Sequence, residues 1–189
     1  MFDFNQKKGK LIVISGPSGS GKGTIVEKLL DDKSIELSVS CTTRPPRPHE
    51  KDGVNYFFKR EDEFNDMIVS NSFLEHAQVF GCQYGTPKAV VLKKLDQGKN
   101  IILEIDVQGA MQVKGNYDDA LLIFISPPSD EELLTRLKKR GTETEAQIKK
   151  RFSKAKEEMA YMDKYDFTVV NDVLEDAVKE IKDIIKNAT

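Results

Sequence analysis

The sequence predicts an α/β fold in which helices flank a five-stranded parallel sheet, with a small lobe and a helical lid inserted into the chain. Five short apolar runs recur along the 189 residues, with helical stretches between them. Most of these runs are unbroken rather than alternating, which is typical of strands that helices cover on both faces. Two stretches interrupt this pattern and predict the lobe and the lid. The predicted strands are residues 10–15, 35–40, 101–106, 121–126 and 167–170.

The composition is that of an ordinary globular domain. Hydrophobic residues make up 39% and charged residues 32% of the chain, which excludes a disordered or membrane-spanning class of protein. The 29 basic and 31 acidic residues leave no strong positive field for long nucleic acid. The early apolar run 11–14 is too short for a signal peptide or a membrane span, so we expect no membrane partner and a cytoplasmic location.

Cysteine and histidine are too few to build a framework of their own. Cys41 and Cys82 cannot form a set of disulfides, and together with His49 and His76 they show no metal-ligand spacing. The sequence therefore predicts free thiols and no metal held by protein ligands alone.

A glycine-rich loop follows the first predicted strand and leads into a helical run at residues 24–30. It matches Gly-x-x-x-x-Gly-Lys, in which backbone N–H groups and a helix N-terminus surround a polyphosphate. Lys22 is then expected to reach the β- and γ-phosphates of a nucleoside triphosphate. Gly23 follows it where the common form has a Mg²⁺-binding Ser or Thr, so Mg²⁺ is expected with ATP but its ligands stay open. The predicted ATP-binding residues of the loop are Gly16, Pro17, Ser18, Gly19, Ser20, Gly21, Lys22, Gly23 and Thr24.

The first interruption, residues 41–86, carries candidate ligands for a second anion. Arg44 and Arg47 lie three residues apart in a stretch stiffened by prolines, which presents two forked guanidinium groups to one phosphate at a low ordering cost. The hydroxyl groups of Tyr56 and Tyr84 can add donors. Taken alone, such an arginine pair is more often a solvated surface pair, so the motif needs further support.

The order of these motifs resembles that of the guanylate kinase family. The Gly-Lys-Gly-Thr ending of the glycine-rich loop is similar to that of nucleoside monophosphate kinases, and the family's other segments follow in its order. They are Ser-x-x-Thr-Arg-x-x-Arg at residues 40–47, Asn-Tyr-Phe-Phe at 55–58, Phe-Leu-Glu-His-Ala at 73–77, Tyr-Gly-Thr at 84–86 and Leu-Glu-Ile-Asp-x-Gln-Gly at 103–109. The resemblance extends over residues 10–177.

This resemblance implies that the inserted lobe binds GMP. Guanine presents N1–H and N2–H₂ donors on one edge, which a carboxylate such as Glu75 can accept together, whereas adenine presents a bare acceptor at N1. Asp106 ends an apolar run, where α/β proteins bind ligands. The expected phosphate ligands are Arg44, Arg47, Tyr56 and Tyr84. The expected base readers are Ser40, Glu75 and Asp106, with Thr86 and Glu104 as weaker candidates.

The second interruption, residues 128–152, predicts the helical lid. Ser-x-x-Glu at 129–132 and Thr-x-x-Glu at 142–145 have the form of capping boxes and predict two helix starts, with Gly141 as a hinge between the helices. The resemblance implies that this segment folds over ATP, although a solvated, charged helix pair would show the same pattern. The arginines expected to neutralise the moving phosphoryl group are Arg136, Arg140 and Arg151, and Asn171 is expected beside adenine.

Together these features predict one domain that transfers the terminal phosphoryl group of ATP to GMP or dGMP, as in purine nucleotide metabolism. Its core is expected at residues 1–40, 87–127 and 153–189. Charge and position are expected to suffice for catalysis, with neither a general base nor a covalent enzyme intermediate. ATP and GMP are the expected partners, and a homodimer is compatible with the sequence. The predicted catalytic residues are Lys22, Arg44, Arg136, Arg140 and Arg151.

Two alternatives stay open at this stage. The first is a monophosphate kinase for another base. The second is a non-catalytic guanylate kinase-like module that uses the lobe to bind phosphorylated protein segments. Such modules typically have degraded phosphate loops, whereas Lys22 and its glycines are present here.

Overall fold

The computed structural model describes residues 8–79, 81–139 and 144–188. Within these ranges the chain forms two β-sheets and seven α-helices. The strands are β1 (Leu11–Ser15), β2 (Ile35–Leu37), β3 (Cys41–Thr42), β4 (Phe57–Phe58), β5 (Phe73–Val79), β6 (Cys82–Pro87), β7 (Asn100–Glu104), β8 (Leu121–Ser126) and β9 (Phe167–Val170). The helices are α1 (Lys22–Leu29), α2 (Glu61–Val69), α3 (Lys88–Asp96), α4 (Val107–Asn116), α5 (Asp130–Lys139), α6 (Glu145–Met159) and α7 (Leu174–Ala188).

The core sheet has five strands in the order β2-β7-β1-β8-β9, and each neighbouring pair is parallel. The predicted five-stranded parallel sheet is therefore confirmed, and β8 and β9 span the predicted residues. β2 ends at Leu37, three residues early, because the chain leaves the sheet there and continues into β3 of the second sheet. β7 ends at Glu104 because Asp106 already caps α4, its Oδ1 accepting a hydrogen bond of 2.9 Å from the Gly109 N–H.

Apolar side chains cover both faces of the core sheet. All residues of β1 and β8 are buried. One face packs against α1 and α7 in a cluster that includes Ile12, Ile25 and Ile181. The other face packs against α3 and α4 in a cluster that includes Leu95 and Ala110. Burial on both faces explains why these strands are unbroken apolar runs in the sequence. None of the helices in the described ranges is both long and apolar enough to cross a membrane.

The lobe forms a separate sheet in the order β4-β3-β6-β5, against which α2 packs. Its small core contains Cys41, Phe64 and Phe73, and the two phenylalanine rings stack with centroids 4.5 Å apart. Burial raises the pKa of the Cys41 thiol to about 11, so this cysteine is a packing residue and not a reactive one.

Strand β5 connects the lobe to the core. The Gln112 side chain of α4 accepts a hydrogen bond from the His76 N–H (3.0 Å) and donates one to the His76 carbonyl (3.1 Å). Asn116 donates to the Leu74 carbonyl at 2.8 Å. Because α4 starts close to the end of β7, these bonds hold Glu75, which lies between Leu74 and His76, at a set position relative to the core sheet.

Helices α5 and α6 pack against each other through Leu133, Leu137 and Ala155. Ser129 caps α5 as predicted, because its Oγ accepts a hydrogen bond of 3.1 Å from the Glu132 N–H.

The predicted cap of the second lid helix is wrong by two residues. Thr144 caps α6, and its Oγ1 accepts a hydrogen bond of 3.3 Å from the Gln147 N–H. The Gln147 Oε1 in turn accepts one of 2.8 Å from the Thr144 N–H. This reciprocal pair satisfies two N–H groups at the helix start, which places the start after Thr144. Thr142 and the predicted hinge Gly141 lie outside the described residues.

Candidate active site

Three adjoining cavities lie where the C-terminal ends of the core strands face the lobe. Their volumes are about 450, 260 and 190 Å³. The glycine-rich loop lines the first, and lobe residues line the other two. Glu104 and Ile105, at the end of β7, line all three. The strand end therefore forms a common wall between a phosphate-binding loop and the lobe, where open α/β sheets bind ligands.

The glycine-rich loop between β1 and α1 turns through glycines in the left-handed region. Gly16 and Gly21 have φ angles of 138° and 90°, which favour glycine. A side chain at Gly16 would also collide with the Ile125 carbonyl. The Lys22 ammonium donates to the carbonyls of Gly16 (2.5 Å) and Pro17 (3.0 Å), so it lies folded along the loop. The loop residues that line the largest cavity are Gly16, Ser18, Gly19, Gly21, Lys22, Gly23 and Thr24.

Asn171 supports this loop from behind. Its side chain is buried and donates a 2.7 Å hydrogen bond to the carbonyl of Ser20, and the missing side chain of Gly21 makes room for it. The carbonyl of Asn171 accepts a 3.0 Å hydrogen bond from the Arg136 guanidinium, whose Nε donates to Glu132 at 2.8 Å. The structure thus links the lid helix α5, the end of β9 and the loop. The sequence predicted the Asn171 side chain beside adenine. In the structure its amide donates to the Ser20 carbonyl of the loop.

Two residues of α6 that were not predicted from the sequence line the 450 Å³ cavity of the glycine-rich loop. They are Lys154 and Glu158, whose charged atoms lie 3.7 Å apart. Glu158 is buried, and burial raises its pKa although Lys154 and Lys22 act in the opposite direction. Arg151 lies three residues before Lys154. Their helical spacing was a usable signal, since residues three or four apart share a face.

The 260 Å³ cavity is lined by the predicted base readers Ser40, Glu75, Glu104 and Asp106, while Thr86 lines the adjoining 190 Å³ cavity. Glu75 is 7% exposed, and its Oε1 accepts a 2.6 Å hydrogen bond from the Thr86 hydroxyl. Burial raises the pKa of Glu75, and the negative charge of Asp106 acts in the same direction. Gly109 leaves room for the second oxygen, because a Cβ there would lie 3.1 Å from Oε2. Ser40, Tyr56, Tyr84 and Asp106 line the same cavity, so the fold brings these predicted residues together.

The predicted phosphate ligand Arg44 lies at the lobe side of the site. Its Nη1 donates to the Pro45 carbonyl at 2.8 Å, and its guanidinium lies 5.6 Å from the centre of the Tyr56 ring. The rings of Tyr56 and Tyr84 meet edge to face at 6.0 Å. Arg44 is also paired with Glu50, a residue that the sequence analysis missed.

Glu104 lies between the two halves of the site. It ends β7, and a Cβ at Gly23 would lie 3.5 Å from its Oε1. Arg47 belongs to the same loop as Arg44, and Arg151 lies on α6. Arg140, a predicted catalytic residue, lies outside the described residues.

The chain is similar to several known proteins. A family model described as guanylate kinase matches residues 8–188. A guanylate kinase of Caldanaerobacter subterraneus subsp. tengcongensis is 54% identical over 181 residues, which cover 95% of this chain and 88% of that protein. A guanylate kinase of Clostridium tetani is 54% identical over 179 residues, with coverages of 95% and 86%. The crystal structure of guanylate kinase from Anaplasma phagocytophilum has a TM-score of 0.72 at 32% identity, covering 96% of this chain and 86% of that one.

Proposed function

The chain belongs to the guanylate kinase family, and on that premise we propose that it transfers the terminal phosphoryl group of ATP to GMP or dGMP, giving ADP and GDP or dGDP. One observation carries this proposal. The cavity of the glycine-rich loop and the cavity around Glu75 share the wall formed by Glu104, Ile105 and Asp106. Two nucleotides bound on either side of this wall would meet with their phosphates facing each other.

ATP would bind on the side of the glycine-rich loop. Backbone N–H groups of the loop would surround its β-phosphate, and the positive end of α1 would add to the attraction. Lys22 would exchange the carbonyls of Gly16 and Pro17 for phosphate oxygens. Arg136 would approach from α5 and Arg151 from α6, in a lid that comprises residues 128–152. Lys154 would approach from the part of α6 that follows the lid.

GMP would bind in the lobe, within residues 41–86. The Glu75 carboxylate is buried and already accepts the hydroxyl of Thr86 through one oxygen, which leaves the other for the N1–H and N2–H₂ edge of guanine. Ser40 and Asp106 line the same cavity and would complete the recognition of the base. Arg44, Arg47, Tyr56 and Tyr84 would bind the phosphate of GMP.

Catalysis would then consist of alignment and charge neutralisation. The acceptor is a phosphate oxygen that is already anionic near neutral pH, so no side chain has to remove a proton from it. Cationic groups from the loop, the lobe and the lid would surround the phosphoryl group in transfer. We therefore infer direct transfer between the nucleotides without a phosphorylated enzyme.

We propose that Mg²⁺ arrives with ATP. Glu104, Asp106 and Glu158 line the loop cavity, but nowhere in the described ranges do three potential metal-binding side chains converge. These residues suit an ion that phosphate oxygens and water hold, with carboxylates nearby. When bound, Mg²⁺ would neutralise charge on the β- and γ-phosphates.

We place the reaction in the cytoplasm and in purine nucleotide metabolism, where ATP and GMP occur together.

Parallel assays of ATP with GMP, dGMP, AMP, CMP and UMP test the proposed function. We expect rapid turnover of GMP and dGMP, because Glu75 accepts the adjacent N1–H and N2–H₂ donors of guanine, a pair that adenine, cytosine and uracil lack. Faster turnover of another monophosphate would favour the kinase for another base. Binding of GMP without turnover of any substrate would favour a non-catalytic module.

A further inference from the structure

The loop between β3 and β4 contains a carboxylate whose hydrogen bonds remain within that loop. The side chain of Glu50 is 8% exposed, and both of its oxygens contact the Nη2 of Arg44, at 2.8 and 3.0 Å. Its Oε2 also accepts a hydrogen bond of 2.8 Å from the backbone N–H of Arg47. The backbone N–H of Glu50 donates to the Arg47 carbonyl at 2.9 Å. Glu50 therefore closes the turn that carries Arg47 and also binds the Arg44 side chain.

These contacts restrict the guanidinium of Arg44 to one orientation. Nη2 is bound to Glu50, Nη1 is bound to the Pro45 carbonyl at 2.8 Å, and the group lies over the ring of Tyr56. An arginine side chain has several rotatable bonds, and fixing them costs conformational entropy. In this loop the cost is met when the protein folds, so binding of a phosphate does not have to supply it.

A negative charge beside a phosphate site raises an opposite possibility, in which Glu50 is a competitor that phosphate displaces. The geometry argues against displacement. Glu50 is held by the backbone of Arg47 as well as by Arg44, and its side chain is almost fully covered. The Arg44 side chain holds the pKa of Glu50 at about 2, so Glu50 stays ionised and paired at neutral pH. Arginine has five N–H donors, and Glu50 and Pro45 leave others for a phosphate.

We propose that Glu50 is a positioning residue for the GMP phosphate: it orients the guanidinium of Arg44 and stabilises the turn of Arg47 without touching the nucleotide. This inference rests on the proposed function. It extends the phosphate-binding set of the lobe to a residue that acts through another residue.

Glu50→Gln tests this role. The amide keeps the shape of the side chain but replaces one acceptor with an N–H₂ group, which opposes the N–H groups of Arg44. We expect the Kd and the KM for GMP to rise on the order of 10- to 100-fold, because small misplacements of a positioning group cost that much. The KM for ATP should change less than about twofold. Guanosine lacks the phosphate, so its inhibition constant against GMP should also stay within about twofold.

The lobe offers a matched control in Asp62→Asn. Asp62 pairs with Arg60 at 3.0 Å in the same lobe, but their side chains are 68% and 72% exposed. Such exposed pairs contribute little, so we expect all constants to stay within about twofold of the parent protein.

A double-mutant cycle with Arg44→Ala separates positioning from a general effect. If Glu50 acts through Arg44 and the turn of Arg47, adding Glu50→Gln to Arg44→Ala should weaken GMP binding clearly less than the same substitution does in the parent protein, because only the contribution through Arg47 remains. A full additional loss would overturn the inference. So would an unchanged or lower Kd of Glu50→Gln for GMP, or an equal loss of GMP, guanosine and ATP. A parent protein that binds GMP but does not phosphorylate it would contradict the proposed function, while the Kd measurements would still decide the role of Glu50.

Discussion

The glycine-rich loop and the inserted lobe are both equipped to bind phosphate, but they are built in opposite ways. The loop is one short run of consecutive residues with left-handed glycines, and its lysine is folded onto the carbonyls of Gly16 and Pro17. The lobe presents side chains from the β3–β4 loop and from strands β5 and β6, which hold one another through pairs such as Arg44 with Glu50 and Glu75 with Thr86.

This difference assigns different tasks to the two halves. Backbone N–H groups recognise any polyphosphate, because no side chain in the loop reads a base. A buried carboxylate with one oxygen already engaged accepts only a partner with donors at the right place. The loop therefore suits the common phosphoryl donor, and the lobe suits selection of the acceptor. Variants in each half should affect one substrate and spare the other.

Lys22→Met is expected to have the largest effect. It removes the ammonium that would contact the β- and γ-phosphates, and we expect kcat/KM for ATP to fall on the order of 10³-fold. The Kd for GMP, measured without ATP, should change less than about twofold because the lobe is untouched. Steady-state kinetics and calorimetry measure the two quantities. Turnover at the parent rate would refute the role of the glycine-rich loop.

Glu75→Gln should affect the other substrate. Hydrogen bonds to a charged group contribute about 1.5–3 kcal/mol, so we expect kcat/KM for GMP to fall about 10²-fold with the KM for ATP spared. The variant should fold normally. Burial raises the pKa of Glu75, so the folded state binds its proton more readily than the unfolded state does. The free energy of unfolding then falls as pH rises from 4.5 through the raised pKa, a loss that glutamine avoids.

The pH dependence of GMP use sharpens this test. The ionised Glu75 accepts the guanine donors, so the KM for GMP should rise as pH falls through the raised pKa of that carboxyl. The phosphate of GMP also titrates, with a pKa of about 6, but the glutamine variant shares that contribution. The difference between the two profiles isolates Glu75. If the KM for GMP depended on pH in the same way in the parent protein and in Glu75→Gln, Glu75 would not be the base reader.

Lys154→Gln is expected to have the smallest effect. Lys154 lines the loop cavity from α6, just beyond the proposed lid, and we expect kcat/KM for ATP to fall about 10-fold through loss of one charge-assisted contact. Lys156→Gln is the matched control, because Lys156 lies on the same helix but pairs with Asp130 at 2.8 Å on the surface. Equal behaviour of the two variants would remove Lys154 from the ATP side.

Much of the fold was predictable because it depends on local patterns. The five parallel strands follow from unbroken apolar runs, and Ser129 caps α5 where its spacing to Glu132 predicts. The predicted cap of α6 was misplaced because Thr142 and Thr144 are each followed three positions later by a residue that suits a capping box, Glu145 and Gln147. Gln147 at the third helical position decides between them through its reciprocal bonds with Thr144.

The site, like the fold, has a part that was predictable from the sequence and a part that was not. Motif and resemblance predicted the glycine-rich loop and the cluster of Ser40, Glu75 and Asp106, and these residues lie at the expected cavities. Their functional roles stay predictions. Glu50 and Lys154 were not predicted. The spacing of Lys154 from Arg151 was a usable signal, but it does not by itself distinguish a site residue from a solvated helix face, and Glu50 is recognised only through its contacts with Arg44 and Arg47.

The sequence by itself determined the features that neighbouring residues make together: the five core strands, the glycine-rich loop and the presence of a helix behind it. Only the tertiary structure decided which distant groups share a hydrogen bond. Asn171 reaches the Ser20 carbonyl across 151 positions, and Glu75 meets Thr86 across the β5–β6 hairpin. Periodicity constrains which face a side chain takes, whereas a hydrogen bond depends on a few tenths of an ångström that only the packed sheets and helices set.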